Sequence, residues 1–118
     1  MKNYKTGIIR KVKQRKLPVW PEVVTGRDYL YAIGRRKRAV ARVRLYKNGK
    51  GQVFVNGKEH LKYFSTGELR DTAIAAMVAV GQADKVDVSV LVLGGGPKGQ
   101  ALATRLGISR ALLKLNPL

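Results

Sequence analysis

The stretch GRRKRAVARVRLY, residues 34–46, sets four consecutive cations, Arg35–Arg38, directly before a segment in which charged and apolar residues alternate. Side chains of a β-strand point alternately to its two faces, so Arg42 and Arg44 share one face, with a spacing of about 7 Å. The opposite, buried face would hold Ala41, Val43 and Leu45. We therefore expect a strand that mounts positive charge on a rigid surface, and a phosphate backbone is the partner that most often matches such a surface.

The charge of the chain is high and unevenly distributed. Its 118 residues, 45% of them hydrophobic, are enough for one folded domain with a core. Lys and Arg number 24 against 7 acidic residues, a formal net charge of +17, and residues 1–50 contain only Glu22 and Asp28 as acids. Nucleic acid is the favoured partner of such a chain, and an anionic membrane surface is the second.

Several classes of function are disfavoured by composition. The chain has no cysteine, which excludes disulfides, thiol catalysis and cysteine-based zinc sites, and the single histidine, His60, cannot form a metal site by itself. No apolar run is long enough to span a membrane, and no signal-peptide pattern is present. We expect no cofactor, no metal and no membrane partner.

Residues 1–28 are interpreted as a basic N-terminal extension. Pro18 and Pro21 disfavour a helix around Trp20. The segment is predicted to be extended or disordered when free and to order on a partner, whereas a solvated tail is the alternative. Its candidate RNA contacts are Lys11, Lys13, Arg15 and Lys16.

Residues 29–118 are predicted to form the domain, starting with three strands. A strand over residues 29–33 is interrupted by Gly34, and a second covers residues 39–46. Asn48-Gly49 predicts a hairpin to a third strand over residues 52–55, since both residues tolerate positive φ. One or two helical turns follow over residues 58–64.

The second half of the domain alternates helix, strand and helix. Ser65 and Glu68 have the spacing of a capping box, at the start of a helix that ends at Gly81. A strand covers residues 86–93, and a helix covers residues 99–115. Within that helix Gly107 indicates close packing, while Arg105 and Arg110 face away from the core. The predicted fold is α+β, with two layers and helices on one face of the sheet.

The loop GGGPKGQ, residues 94–100, joins the last strand to the last helix. Glycines allow a backbone to approach closely, and helix N-terminal amides point outward, so contact with an RNA backbone is favoured. A turn without ligand and a small-nucleotide site are the alternatives; the loop lacks the P-loop pattern and a following βαβ unit. No catalytic residue is predicted, because the carboxylates are expected on surfaces or caps: Glu59, Glu68, Asp71, Asp84 and Asp87.

Two motifs together closely resemble the family of the ninth protein of the ribosomal small subunit. The first is GRRKRAVARV, residues 34–43, followed by Asn56-Gly57. The second is LGGGPKGQA, residues 93–101, followed by GISRALL, residues 107–113. The resemblance covers about residues 29–115, and the two motifs in this order and separation are highly specific.

The resemblance implies a fold shared with the second domain of the fifth small-subunit protein, with a mixed four-stranded sheet and a left-handed β-α-β crossover. It also implies residence in the subunit head, on the 3′ domain of the small-subunit ribosomal RNA, beside other head proteins. The expected location is accordingly the cytoplasm, bound to the ribosome, with an organellar ribosome as the weaker alternative. By position, the family's basic motif and glycine loop correspond to Arg35, Arg36, Lys37, Arg38, Arg42, Gly94, Gly95, Gly96, Gly99 and Gln100. The residue patterns add Arg44, Lys98, Arg105 and Arg110 as RNA-binding candidates.

Two departures from the family limit what the resemblance implies. Family members normally continue into a basic tail ending in Ser-Lys-Arg that reaches the peptidyl-tRNA site, and this sequence ends at Leu118, so tRNA contact is not assigned. Residues 1–28 match no family motif. The competing hypotheses are a free-standing RNA-binding or chaperone-like protein, which would bind without sequence preference, and a kinase-like enzyme whose glycine loop binds ATP.

Overall fold

The computed structural model describes residues 27–116, which form five strands and three helices. They are β1 (Leu30–Arg36), β2 (Ala39–Tyr46), β3 (Val53–Val55), β4 (Lys58–Glu59), α1 (His60–Tyr63), α2 (Gly67–Ala79), β5 (Asp87–Leu93) and α3 (Pro97–Leu115). The predicted α+β class is confirmed, with a mixed sheet of five strands rather than four, because the two residues of β4 pair with β3. The predicted extension, apart from Arg27 and Asp28, lies outside the described residues.

The strand order is β1-β2-β5-β3-β4. The β1–β2 and β2–β5 pairs are antiparallel, and β3 runs parallel to β5. The predicted hairpin at Asn48-Gly49 is therefore wrong, since β5 lies between β2 and β3. Asn48 does adopt a left-handed conformation, with φ of 58°. The turn was therefore predicted correctly, whereas the pairing of the strands on its two sides was not.

Hydrogen bonds to the start of β5 explain why β3 does not return beside β2. The backbone N–H groups of Gly49 and Gly51 donate to the carbonyls of residues 85 and 86. The Asp87 carboxylate accepts from the N–H groups of Lys50 and Gln52, at 2.9 and 3.1 Å. These contacts hold the connection across the beginning of β5, so that β3 pairs on its far side.

The core lies on one face of the sheet. Ala41, Val43 and Leu45 are buried there as predicted, and the residues paired with them in β5, Val88, Val90 and Val92, lie on the same face and are also buried. α3 packs on β1 and β2 across this face, and α2 packs against α3. The two-layer arrangement leaves Arg42 exposed on the opposite face.

α3 approaches β1 closely at two glycines. A Cβ at Gly34 would lie 2.1 Å from the Ala103 carbonyl oxygen and 2.4 Å from the Gly107 nitrogen, and a Cβ at Gly107 would lie 2.6 Å from a methyl of Val43. The close packing expected at Gly107 is confirmed. Gly34 was interpreted as an interruption of the strand, and this is wrong, because β1 continues through it to Arg36.

The helix ends differ slightly from the prediction. The N-cap of α2 is Thr66, whose hydroxyl accepts from the Leu69 N–H at 3.2 Å, rather than Ser65. Gly81 follows the end of α2 in a left-handed conformation, as expected of a terminating glycine. α3 begins two residues before the predicted start, because Pro97 occupies its first turn, where a missing N–H costs nothing. None of the helices within residues 27–116 is long and apolar enough to cross a bilayer.

We predict that Gly34→Ala lowers the free energy of unfolding by about 3 kcal/mol, because the new methyl meets backbone atoms that a rotamer change cannot move. Urea denaturation followed by circular dichroism measures this. Gly67→Ala is the control, since no atom lies within 4 Å of a Cβ there and the residue begins α2. Equal unfolding midpoints for the two variants would contradict the assigned close approach.

We also predict that Asp87→Ala lowers the free energy of unfolding by about 2 kcal/mol at neutral pH, because it leaves the amides of Lys50 and Gln52 without their acceptor. The Arg27 guanidinium, 3.1 Å from the carboxylate, is 37% exposed and contributes less. Exposed Asp84→Ala is the matched control, and urea denaturation is the measurement.

Acid should remove this contribution of Asp87. Burial acts to raise the pKa of the carboxyl, but the amide hydrogen bonds and Arg27 outweigh it, so that the pKa lies below its ordinary value of 3.8. The folded state thus binds the proton more weakly than the unfolded state. The stabilisation is complete above the ordinary pKa and is lost as pH falls through the lowered one. Unfolding free energies measured from pH 6 to pH 2 should converge for the wild type and Asp87→Ala; a constant difference would contradict the assignment.

Candidate nucleic-acid interface

The four consecutive cations form the tip of a β-hairpin. Arg35 and Arg36 end β1, the two-residue loop is Lys37-Arg38, and Ala39 starts β2 opposite Arg36. Lys37 takes the left-handed conformation that the tight loop requires, with φ of 54°. All four side chains are exposed. We call Arg35–Arg38 the basic hairpin; the sequence indicated its charge but not that its residues connect two paired strands.

The predicted alternation of β2 is confirmed, and its two arginines have different surroundings. Arg42 is exposed on the face away from the helices. Arg44 on the same face is partly buried, and its guanidinium lies 4.3 Å from the ring centroid of Tyr29, a distance typical of cation–π stacking. Arg42 therefore presents its charge to solvent, whereas Arg44 is oriented by an aromatic ring.

The glycine loop, residues 94–96, packs directly against the basic hairpin. Gly94 and Gly95 both have positive φ, 83° and 69°. A Cβ at Gly94 would lie 2.2 Å from the Arg38 carbonyl oxygen, and one at Gly95 would lie 3.2 Å from the Ala39 methyl. These glycines therefore serve the contact between two chain segments as well as the turn. The structure brings the two sequence motifs into one surface.

A shallow depression marks the junction of these segments. It is lined by Ile33, Arg35, Arg38, Val40, Arg42, Leu93 and Gly94. Guanidinium groups from both strands of the hairpin thus border apolar side chains and the first residue of the glycine loop. A surface of this kind offers fixed positive charge next to groups on which a sugar or a base can pack.

The side chain of Gln100 holds the glycine loop in place by hydrogen bonding. Its side-chain N–H donates to the Gly94 carbonyl at 3.1 Å, and its side-chain oxygen accepts from the Tyr63 hydroxyl at 2.6 Å. The Tyr63 oxygen accepts in turn from the Asn56 amide at 3.1 Å, and Asn56 also bonds both backbone groups of Val92. These residues form a hydrogen-bonded network from β3 to α3, and its members Asn56 and Tyr63 were not identified as site residues from the sequence.

The remaining candidates of α3 occupy different surroundings. Lys98 is exposed in the first turn of the helix, beside the glycine loop, and Arg105 is exposed two turns later. Arg110 is exposed as predicted, but it donates to the Ile33 carbonyl at 3.1 Å, and Lys114 donates to the Tyr31 carbonyl. Arg110 and Lys114 therefore cover backbone oxygens along the outer edge of β1, and Arg110 lies apart from the glycine loop. Lys11, Lys13, Arg15 and Lys16 lie outside the described residues.

The two segments that form this surface carry charge of one sign. Residues 29–58 contain nine Lys and Arg and no acidic residue, and residues 88–116 contain four Lys and Arg and no acidic residue. The basic hairpin and the glycine loop come from these two segments. The positive potential of the surface is thus not neutralised within it, and an anionic ligand gains from every cation there.

Comparisons with known proteins agree with the two motifs. Residues 34–118 match the model of the family described as ribosomal protein S9/S16. The protein named small ribosomal subunit protein uS9 from Cytophaga hutchinsonii is 48% identical over 75% of this chain and 69% of its own length. The proteins of that name from Lawsonia intracellularis and Porphyromonas gingivalis are 47% and 44% identical, each over 76% of this chain and over 68% and 70% of their own length. With its basic hairpin and glycine loop inside the matched region, this chain belongs to the ribosomal protein S9/S16 family.

Proposed function

We propose that this chain is a structural constituent of the small ribosomal subunit that binds the 3′ domain of the small-subunit ribosomal RNA, in the subunit head near the peptidyl-tRNA site. Membership of the family and the names of its relatives support the ribosomal role. The single observation that supports RNA binding is the packing of the glycine loop against the basic hairpin, which creates one cationic surface from two distant segments.

Binding would depend on charge held at fixed positions. Arg35, Arg36, Lys37, Arg38, Arg42 and Lys98 are exposed and belong to this surface. Folded RNA is recognised largely through its shape and its phosphates. Cations whose backbone is fixed by strand pairing in a hairpin can match phosphates at defined positions. Gly94, Gly95, Gly96 and Gly99 would let the RNA backbone approach the loop closely.

The other candidate residues would have secondary roles. Gln100 would position the loop as well as contact RNA, and Arg44, Arg105 and Arg110 would extend the contact along the sheet and α3. Lys11, Lys13, Arg15 and Lys16 of the extension would add phosphate contacts beyond the domain. The chain would act without catalysis or cofactor, bound to the cytoplasmic ribosome beside other proteins of the head.

We predict that Arg36→Ala and Arg42→Ala each weaken binding to 3′-domain RNA by about 1 kcal/mol, roughly fivefold, because each removes one phosphate contact. The slope of log affinity against log salt should fall by about one for each variant. Fluorescence titration across a salt series measures both quantities. Lys85→Ala, at the other end of β5 from the glycine loop, removes the same charge and is the control.

Scrambled RNA of equal length separates this function from the alternative of sequence-independent binding. A preference for the ribosomal RNA that persists as salt rises supports the proposal. Equal affinities for the two RNAs at every salt concentration would favour a general RNA-binding protein, and unchanged slopes in both arginine variants would show that the hairpin does not touch RNA.

We predict that Gly94→Ala weakens binding to the same RNA by at least as much as a single arginine substitution, whereas Gly67→Ala, outside the RNA-binding surface, changes it little. A methyl at Gly94 would collide with the Arg38 carbonyl and force an L-residue into a left-handed conformation, while at Gly67 no atom beyond the adjoining backbone lies within 4 Å of a Cβ. The same titration measures this, and urea denaturation monitors the fold. Wild-type affinity for a folded Gly94→Ala variant would contradict the role given to the loop–hairpin contact.

A further inference from the structure

The second half of α2, together with Val80 directly after it, is apolar on all sides. Residues 73–80, AIAAMVAV, contain no polar side chain. Only Ala73 and Met77 among them are fully buried in the core, while Val78 and Val80 are 58% and 57% exposed. A helix that is hydrophobic all round is typically covered on more than one side. Within residues 27–116, the core covers only one side of this helix.

The exposed apolar surface continues onto the end of α3. A groove between the two helices is lined by Ala76, Val80, Ser109, Leu112, Leu113 and Asn116, and a second depression is lined by Asp71, Ile74, Ala75, Val78 and Ala79. Leu113 is 56% exposed. We define the α2 face as Ile74, Ala75, Val78, Ala79, Val80 and Leu113. Contiguous exposed apolar surface of this kind marks an interaction site more often than scattered residues do.

The exposed charges on α2 itself are opposite in sign to those of the basic hairpin. Glu68 and Asp71, both exposed, precede the apolar residues by one or two helical turns. Arg70 is the only cation of α2, and its Nε donates to the Phe64 carbonyl at 2.9 Å rather than extending over the face. A polyanion would be repelled here, whereas apolar side chains flanked by Lys or Arg would be attracted.

We propose that the α2 face docks another protein of the ribosomal small subunit, one that presents apolar side chains flanked by basic residues. The inference rests on the proposed residence in the subunit and adds a second interface to it, separate from the RNA-binding surface. The apolar side chains of the partner would cover Val78, Val80 and Leu113, and its cations would face Glu68 and Asp71.

Opposite charges placed at Val78 test the chemistry of the occupant. Full-length Val78→Arg and Val78→Glu chains compete with the wild type for incorporation into small subunits reconstituted from ribosomal RNA and the other small-subunit proteins. We expect both variants to be incorporated less than the wild type. The loss should be larger for Val78→Arg, about fivefold to tenfold, than for Val78→Glu, because a partner with basic flanking residues repels the new cation. Leu61→Arg and Leu61→Glu are the controls, since Leu61 is 55% exposed on α1, outside the α2 face.

Each of the other outcomes overturns the proposal. If Val78→Arg is incorporated normally and Val78→Glu is lost, RNA covers the face. If both variants are incorporated as well as the wild type, the face is open to solvent. Self-association of the wild type in sedimentation, abolished by both variants, would mean that a second copy does. Binding of each variant to isolated 3′-domain RNA is measured in parallel and should match the wild type. Failure of the wild type itself to enter subunits would instead contradict the proposed function.

A photoreactive residue identifies the neighbour directly. Benzoylphenylalanine at position 78 of the full chain should cross-link, within reconstituted subunits, to a peptide of another small-subunit protein, and that peptide should contain apolar residues next to Lys or Arg. The same group at position 61 gives the background. Cross-links to ribosomal RNA or to this chain's own residues, or a yield no higher than at position 61, would overturn the assignment.

Discussion

The approach of α3 to β1 at Gly34 and Gly107 is the constraint on which the rest of the structure depends. Neither position leaves room for a Cβ, so the helix axis lies closer to the sheet than ordinary side chains would permit. Because α3 is fixed there, its first turn and the glycine loop before it lie against the end of β1 and the start of β2. The RNA-binding surface proposed above is therefore a consequence of helix–sheet packing several residues away.

The two proposed interfaces use different physical interactions on different elements. The basic hairpin and glycine loop combine fixed cations with backbone that can approach a phosphate, in segments without a single acidic residue. The α2 face combines exposed valines and a leucine with Glu68 and Asp71. Such a division lets a small domain contact RNA with one side and protein with another, without either partner competing for the same surface.

The local parts of the fold could be predicted from the sequence, and the long-range parts could not. The alternation of β2, the close packing at Gly107 and the glycine that ends α2 follow from one or a few neighbouring residues. The placement of β3 follows from Asp87, which was expected at the surface but is only 7% exposed, because its carboxylate accepts hydrogen bonds from the amides of residues 50 and 52. Nothing in the sequence near Asn48-Gly49 indicates that a carboxylate almost forty residues later binds the segment after this turn. Gln100 illustrates the same limit, since its partners Tyr63 and Gly94 become neighbours only after folding.

A net charge of +17 overstates the charge available to a ligand, because several cations act within the fold. Arg27 pairs with Asp87, Arg70 and Arg110 donate to backbone carbonyls, and Lys114 covers a carbonyl on the outer edge of β1. Cations along an exposed strand edge also oppose pairing with another chain, so their presence there has a reason unrelated to RNA. Among residues 27–116, no hydrogen bond or ion pair engages the side chains of the basic hairpin or Arg42. Charge that stabilises the domain is thus separated from charge held outward on rigid strands, and the latter is the part that binding to a polyanion can use.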